Sequence, residues 1–407
     1  MNKTGFIVAA VAAIGLIFVI SRPSQQGGPE PTPMGQGSCA DKLDRAALEK
    51  SLELGTSFLM ENQKEAGNFT YEYDWKTKVF TKGDSQVRQA GAVWGLGLIM
   101  REKPTQALED KLHTSLKFFR DNSLVTDLGR FVVYPGDPEG STGTVALLAL
   151  ALIDALRSDS ELLDATEREA MKAELEEYLT FLLSQRRPDG LFHSRYRNAD
   201  GGGFGAPSPY FDGESMLALV KAARYHGRDD LWDTIMESAE AGRTKYIIEA
   251  RKQDPDSKQT KGFYQWSSMT FFEIATSERE GVDSFGDTLI ELADWMIDVH
   301  RTLKRTRNTA YAYEGIIHAY QMAKLRGNKE KEAKFRCVIE QGLEKLTSWQ
   351  IGHPLANEHI GDVPPDDPLA VGGIQNHAEE APLRIDVTQH QMHAVILALQ
   401  YVFTAEG

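Results

Sequence analysis

Helical apolar periodicity recurs in twelve stretches, at about 43–62, 86–101, 106–123, 141–157, 161–185, 213–226, 229–250, 264–277, 284–303, 309–325, 329–349 and 386–403. No sustained strand alternation lies between them. Such a chain has to bury helix against helix. The even-numbered stretches are apolar nearly all round, as in "AGAVWGLGLIM", "STGTVALLALALIDAL" and "HAVILALQYVF", which marks buried helices. The odd-numbered ones, such as "TEREAMKAELEEYLTFLLSQ", carry a charged face. Connections divide the same way. Links from an even helix to the next odd one are short and polar ("REKPTQ", "HGRDD", "LRGNKEK"), whereas the return links are long and rich in Gly, Pro and aromatics, as in "RRPDGLFHSRYRNADGGGFGAPSPYFD".

A weak internal repeat follows the same alternation. "FLMENQKEAGNF" (58–69), "FLLSQRRPDGLF" (181–192) and, more loosely, "KLTSWQIGHPLA" (345–356) each end an odd helix with Gln before a turn. Even helices begin near 86, 141, 213, 264, 309 and 386, so five steps cover 300 residues at an average of 60, a helical-hairpin period. Six hairpins with a buried inner helix and an amphipathic outer one close into a ring. The expected fold is all-α, an (α/α)6 toroid over residues 43–407.

Ahead of it, Gly5–Ile20 forms an apolar run flanked by Lys3 and Arg22. Sixteen helical residues reach only ~24 Å, short of a ~30 Å hydrocarbon core, so the flanking cations have to snorkel. Residues 1–22 read as a signal anchor or a cleaved signal peptide, and the poor small-x-small site at Val19 and Ser21 favours the anchor. Residues 23–42 are a Pro/Gly-rich linker. Lys3 on the short side places the globular part outside the cytoplasm, in a bacterial periplasm or cell envelope, tethered to the inner membrane, or secreted if cleaved. In an oxidising compartment Cys39 and Cys337 become neighbours once the ring closes, because the last hairpin lies beside the first. A net charge of −14 argues against nucleic acid.

The inner/outer hairpin pattern, the Gln-then-Gly-x-aromatic turns and the "GRDDLWDTIMESAEAG" hairpin start resemble the six-hairpin carbohydrate-active superfamily of glucuronyl hydrolases, N-acylglucosamine 2-epimerases and uronyl epimerases. The resemblance is architectural and implies the toroid. The terpenoid-cyclase toroids share that architecture.

If the inner helices run in one direction, their N-termini converge on one mouth with the long loops. Scattered residues then meet. Those of chemical interest are Arg88, Gln89, Tyr210, Asp212, Glu214, Trp266, Tyr311, Tyr313, Glu314, Arg384, Asp386 and His390. Aromatic faces for sugar rings and polar groups for hydroxyls make a glycan the expected partner. Structural readings compete: Asp212 and Asp386 suit helix caps, Glu214 suits a dipole-favoured first turn, and Trp266 and Tyr313 suit the core.

A carboxylate pair for glycoside hydrolysis assigns Glu214 as acid and Asp386 as base or nucleophile, with Asp212, Glu314 and His390 as further catalytic candidates. Arg88, Gln89, Tyr210, Trp266, Tyr311, Tyr313 and Arg384 are the substrate-binding candidates. Epimerase or lyase chemistry, with His390 or a tyrosine as base and an Arg on a uronate, is the alternative. A non-catalytic glycan- or peptide-binding toroid serving envelope assembly proteins is the reading from another class. No cofactor or metal is expected.

Overall fold

The computed structural model describes residues 39–159, 161–361 and 366–404. The N-terminal anchor or signal segment and most of the linker fall outside them. Among the described residues, no helix is long and apolar enough to cross a membrane.

Six inner helices form the wall of the ring: Gln86–Glu102, Thr142–Leu156, Pro209–Tyr225, Lys258–Ala275, Ala310–Leu325 and Ile385–Tyr401. Each packs on the next, and the last returns to pack on the first, so the ring is closed. The second is buried along its whole length, which is why its sequence is nearly uniform Leu and Ala. Outside lie Arg45–Glu61, Gln106–Asp121, Ala165–Ser184, Trp232–Gly242, Asp283–Asp294 and Lys329–Thr347. The outer helix 165–184 starts four residues later than its pattern suggests, because Asp164 and Glu167 build a capping box there. Two outer helices run on through π-helical turns, Arg243–Glu249 and Trp295–Val299.

Two inner helices begin earlier than expected, at Pro209 and Lys258. Proline suits the first turn of a helix, where its missing N–H has no intrahelical role, so "PSPYFD" opens the helix that its composition seemed to delay. Among the described residues, the long loops carry three small antiparallel sheets of two or three strands. One of them pairs Glu72–Asp74 with Pro382–Arg384 and so sets Arg384 beside the first inner helix.

The ring is fastened at its seam. The first outer helix packs on the last inner one, joining sequence positions more than 300 residues apart. Cys39 and Cys337 are disulfide-bonded, with Cα atoms 5.0 Å apart and a sequence separation of 298. Glu340 accepts from the Cys39 N–H at 2.6 Å, and Glu344 from the Lys42 and Leu43 N–H groups, so the last outer helix also satisfies the backbone of the entering chain. Cys39→Ser is expected to lower the unfolding free energy by about 2–4 kcal/mol, read by chemical denaturation with and without reductant. No difference between the oxidised proteins would show that the hydrogen bonds alone hold the seam.

Candidate active site

The first turn of an inner helix does two different jobs. In three of the six, the fourth residue reaches back to clamp the loop that follows the preceding outer helix. Gln89 accepts from the Phe69 N–H at 2.7 Å and donates to the Phe69 carbonyl at 2.9 Å. Asp212 accepts from the Phe192 N–H at 2.8 Å, and its other oxygen accepts from the Tyr246 hydroxyl. Thr388 accepts from the Ile374 N–H at 3.2 Å. Phe69, Phe192 and Ile374 are fully buried. The Gln-turn-aromatic repeat in the sequence is thus the footprint of a loop clamp. Burial lifts the Asp212 carboxyl to about 7, against the two hydrogen bonds that favour its charge.

Residues from the N-terminal turns of the inner helices open a cleft of about 610 Å³ at the long-loop mouth. Glu214, Trp266, Asp386 and His390 line it, with Arg88 and Arg384 beside Asp386 and Tyr210 and Tyr311 on the rim. Glu214 is 3% exposed, and among the described residues its Oε2 has no hydrogen-bond partner. Desolvation, reinforced by the charge of Asp212, raises this carboxyl to about 8. It is a protonated acid at neutral pH. Gly143 makes the room for it, since a Cβ there would lie 2.2 Å from Glu214 Oε2 and 2.4 Å from Phe211 Cδ1. Gly143→Ala is expected to displace Glu214 at a cost of about 1–3 kcal/mol in stability, read by thermal unfolding, with activity falling further than stability alone explains.

Across the cleft, Glu314 is fully buried behind the wall and bridges two imidazoles. His390 Nδ1 lies 3.0 Å from Oε1, His393 Nδ1 3.1 Å from Oε2, and Gln265 Nε2 donates to Oε2 at 2.7 Å. Burial opposes its charge, yet the imidazoles of His393 and His390 hold the carboxyl at about 2. Glu314 in turn raises His390 above its ordinary range, against the opposing effect of burial. With Nδ1 committed to Glu314, Nε2 of His390 is the ring nitrogen left for the cleft. Asp386 is paired with Arg384 through two hydrogen bonds and with Arg88 at 3.2 Å. Arg88 and Arg384 also flank the Tyr71 ring, at 5.5 and 5.7 Å from its centroid.

Of the twelve residues singled out in the sequence, the structure brings Glu214, Asp386, His390, Arg88, Arg384, Tyr210, Trp266 and Tyr311 to one cleft. Glu314 stands directly behind His390. Three lie elsewhere. Gln89 and Asp212 are loop clamps, and Tyr313 is fully buried against the outer helix at Gly342, where any Cβ would collide with its ring. Sequence reasoning passed over Lys261, Asn308 and Asn376 as cleft residues. Lys261 belongs to the helix turn that begins earlier than its pattern indicates, Asn308 sits in the short link just before the helix at Ala310, and Asn376 sits in a long loop without periodicity. The one group with metal-ligand spacing among the described residues is Glu109, His113 and Glu167, on outer helices and outside this cleft.

No family model matches the sequence, and no curated protein matches it. Solved structures do. Cellobiose 2-epimerase from Spirochaeta thermophila superposes with a TM-score of 0.63 at 12% identity, covering 89% of this chain and 97% of the other. An α-1,6-mannanase of Salegentibacter sp. HEL1_6, solved with α-1,6-mannotetrose, gives 0.59 at 7%, covering 88% and 100%. An unsaturated glucuronyl hydrolase specific for heparin gives 0.57 at 10%, covering 87% and 97%. At such identities the likeness speaks for the fold. Ring order, hairpin alternation and these superpositions together give the chain the (α/α)6 toroid fold.

Proposed function

We propose that the chain is a carbohydrate-active enzyme that works by acid/base chemistry in the long-loop cleft. The observation that carries this is Glu214, a buried carboxyl whose unpartnered oxygen lies at a cleft wall and which keeps its proton at neutral pH. A general acid of this kind can protonate the oxygen of a departing sugar. Trp266, Tyr210 and Tyr311 offer apolar faces for pyranose rings, and Gln265, Asn308 and Asn376 offer hydrogen bonds to hydroxyls. The superposed proteins named above bear the names of enzymes acting on sugars, which supports the same reading.

Hydrolysis is the first reading, with Glu214 as acid and Asp386 as base or nucleophile. Asp386 is already engaged by two guanidiniums, those of Arg88 and Arg384, however. His390, backed by Glu314, is a second proton carrier, and this pair favours epimerisation or elimination as the second reading. Incubation with a panel of neutral and acidic oligosaccharides separates them. Hydrolysis releases new reducing ends carrying solvent oxygen, whereas epimerisation leaves chain length intact and exchanges a carbon-bound hydrogen with solvent. Binding without either product would favour the non-catalytic toroid.

We infer that the folded part lies outside the cytoplasm, tethered by residues 1–22 or released if they are cleaved, with envelope assembly proteins as its protein partners. The Cys39–Cys337 bridge supports this, since such bonds persist in oxidising compartments. A reporter fused after Gly407 should be active only there, and cytoplasmic activity would overturn the placement.

A further inference from the structure

The cleft has a basic arm. A second hollow of about 760 Å³ adjoins it and shares Tyr210, Lys261, Asn308, Tyr311, Asn376 and Arg384 with it. Across the two hollows the lysine and arginine side chains are Arg88, Lys258, Lys261, Arg305, Arg307 and Arg384. The carboxylates paired with these six are three. Asp386 takes Arg88 and Arg384, Asp256 takes Arg305, and Glu380 takes Arg307. Glu214, the other acid in the wall, keeps its proton at neutral pH.

Lys258 and Lys261 are left over. Among the described residues neither has a carboxylate within 4.0 Å, and Lys261 Nζ stands 5.1 Å from the Tyr311 ring centroid. Lys261 is half-buried and Lys258 exposed. A half-buried ammonium with no anion is costly unless something supplies one. The local excess of positive charge is the more telling because the chain as a whole carries −14. A lysine at a ring face beside an open hollow suits a sugar that stacks on Tyr311 and presents a negative group to Nζ.

We propose that the substrate is an anionic glycan, whose carboxylate or sulfate groups occupy the basic arm against Lys261 and Lys258 while an adjoining sugar lies over Glu214 and His390. This rests on the enzymatic reading above and narrows its substrate class. Uronate and sulfate share the chemistry that recognises them here, a compact oxyanion taken by ammonium and guanidinium groups.

The full chain is titrated calorimetrically with three probes of equal length: an oligouronate, a sulfated neutral oligosaccharide and the unsulfated parent. At least one acidic probe should bind about tenfold more tightly than the parent, with an affinity that falls as salt rises. A Lys258→Gln/Lys261→Gln double variant should lose about fivefold on the acidic probe and nothing on the neutral one, while its unfolding midpoint stays unchanged. Which acidic probe wins identifies the oxyanion. Failure of both acidic probes to bind, neutral binding as tight as acidic, or an unaltered double variant overturns the proposal. Turnover is read separately. Acidic binding without any product retains the anionic-ligand inference and removes the enzymatic reading, whereas turnover of the neutral parent with no acidic preference does the reverse.

Discussion

Glu214→Gln should abolish turnover and stabilise the protein in the same substitution. Gln keeps the shape of the side chain and its place against Gly143 and Phe211, but it has no acidic proton to give. Loss of a general acid typically costs about 10²–10⁴-fold in rate. Ligand affinity should hardly change. In the wild type, activity should fall as pH rises through about 8, where the acid loses its proton. The stability effect has the opposite sign to that of most site mutations. The carboxyl is raised in the folded state from an ordinary 4.5 to about 8, so its contribution is intact below about 4.5 and is lost progressively as pH rises to about 8. Gln escapes that loss. The variant should match the wild type near pH 4 and exceed it by on the order of 2 kcal/mol near pH 8, as denaturant titrations at the two pH values would show. A variant that keeps full turnover, or one equally destabilised at both pH values, would remove Glu214 from the acid role.

The ring was legible because its cause is periodic. Apolarity on all sides of one helix and on one face of the next, with short and long links alternating, leaves few ways to bury the chain. The seam followed from closure, which brings Cys39 to Cys337. The cleft was legible only in part, and for a specific reason. First-turn position tells which residues reach the mouth, but a helix turns through 100° per residue, so neighbours point in different directions. Asp212 and Glu214 differ by two positions and have unlike fates, one clamping Phe192 from behind and the other meeting the cleft. The repeat held the clue. Gln89, Asp212 and Thr388 occupy the same fourth position of their helices, and each follows a loop that returns to a buried apolar residue. Lys261 was hidden by a helix start that the apolar pattern placed six residues late. The pairing of Glu314 with His390 and His393 joins two adjacent inner helices, and no spacing within either helix encodes it.

That pairing leads to the second large effect. Glu314→Ala should cost about 3–5 kcal/mol, because it strips two imidazoles and an amide of their shared acceptor inside the ring wall. The deficit should depend on pH in a defined way. Glu314 is depressed from an ordinary 4.5 to about 2, so what it contributes is present above about 4.5 and lost as pH falls through about 2. His390 is raised from an ordinary 6.5, so its share is full below 6.5 and disappears as pH rises through its elevated value. Both conditions hold together between about 4.5 and 6.5, where the variant should be weakest relative to the wild type. Should the alanine variant fail to fold, Glu314→Gln retains the volume and removes only the charge. In either protein the imidazole of His390, followed by NMR, should titrate at lower pH than in the wild type, since the carboxylate that favours its charge has gone. An unchanged His390 titration would mean that Glu314 merely fills space, and would take the second proton carrier out of the cleft's chemistry.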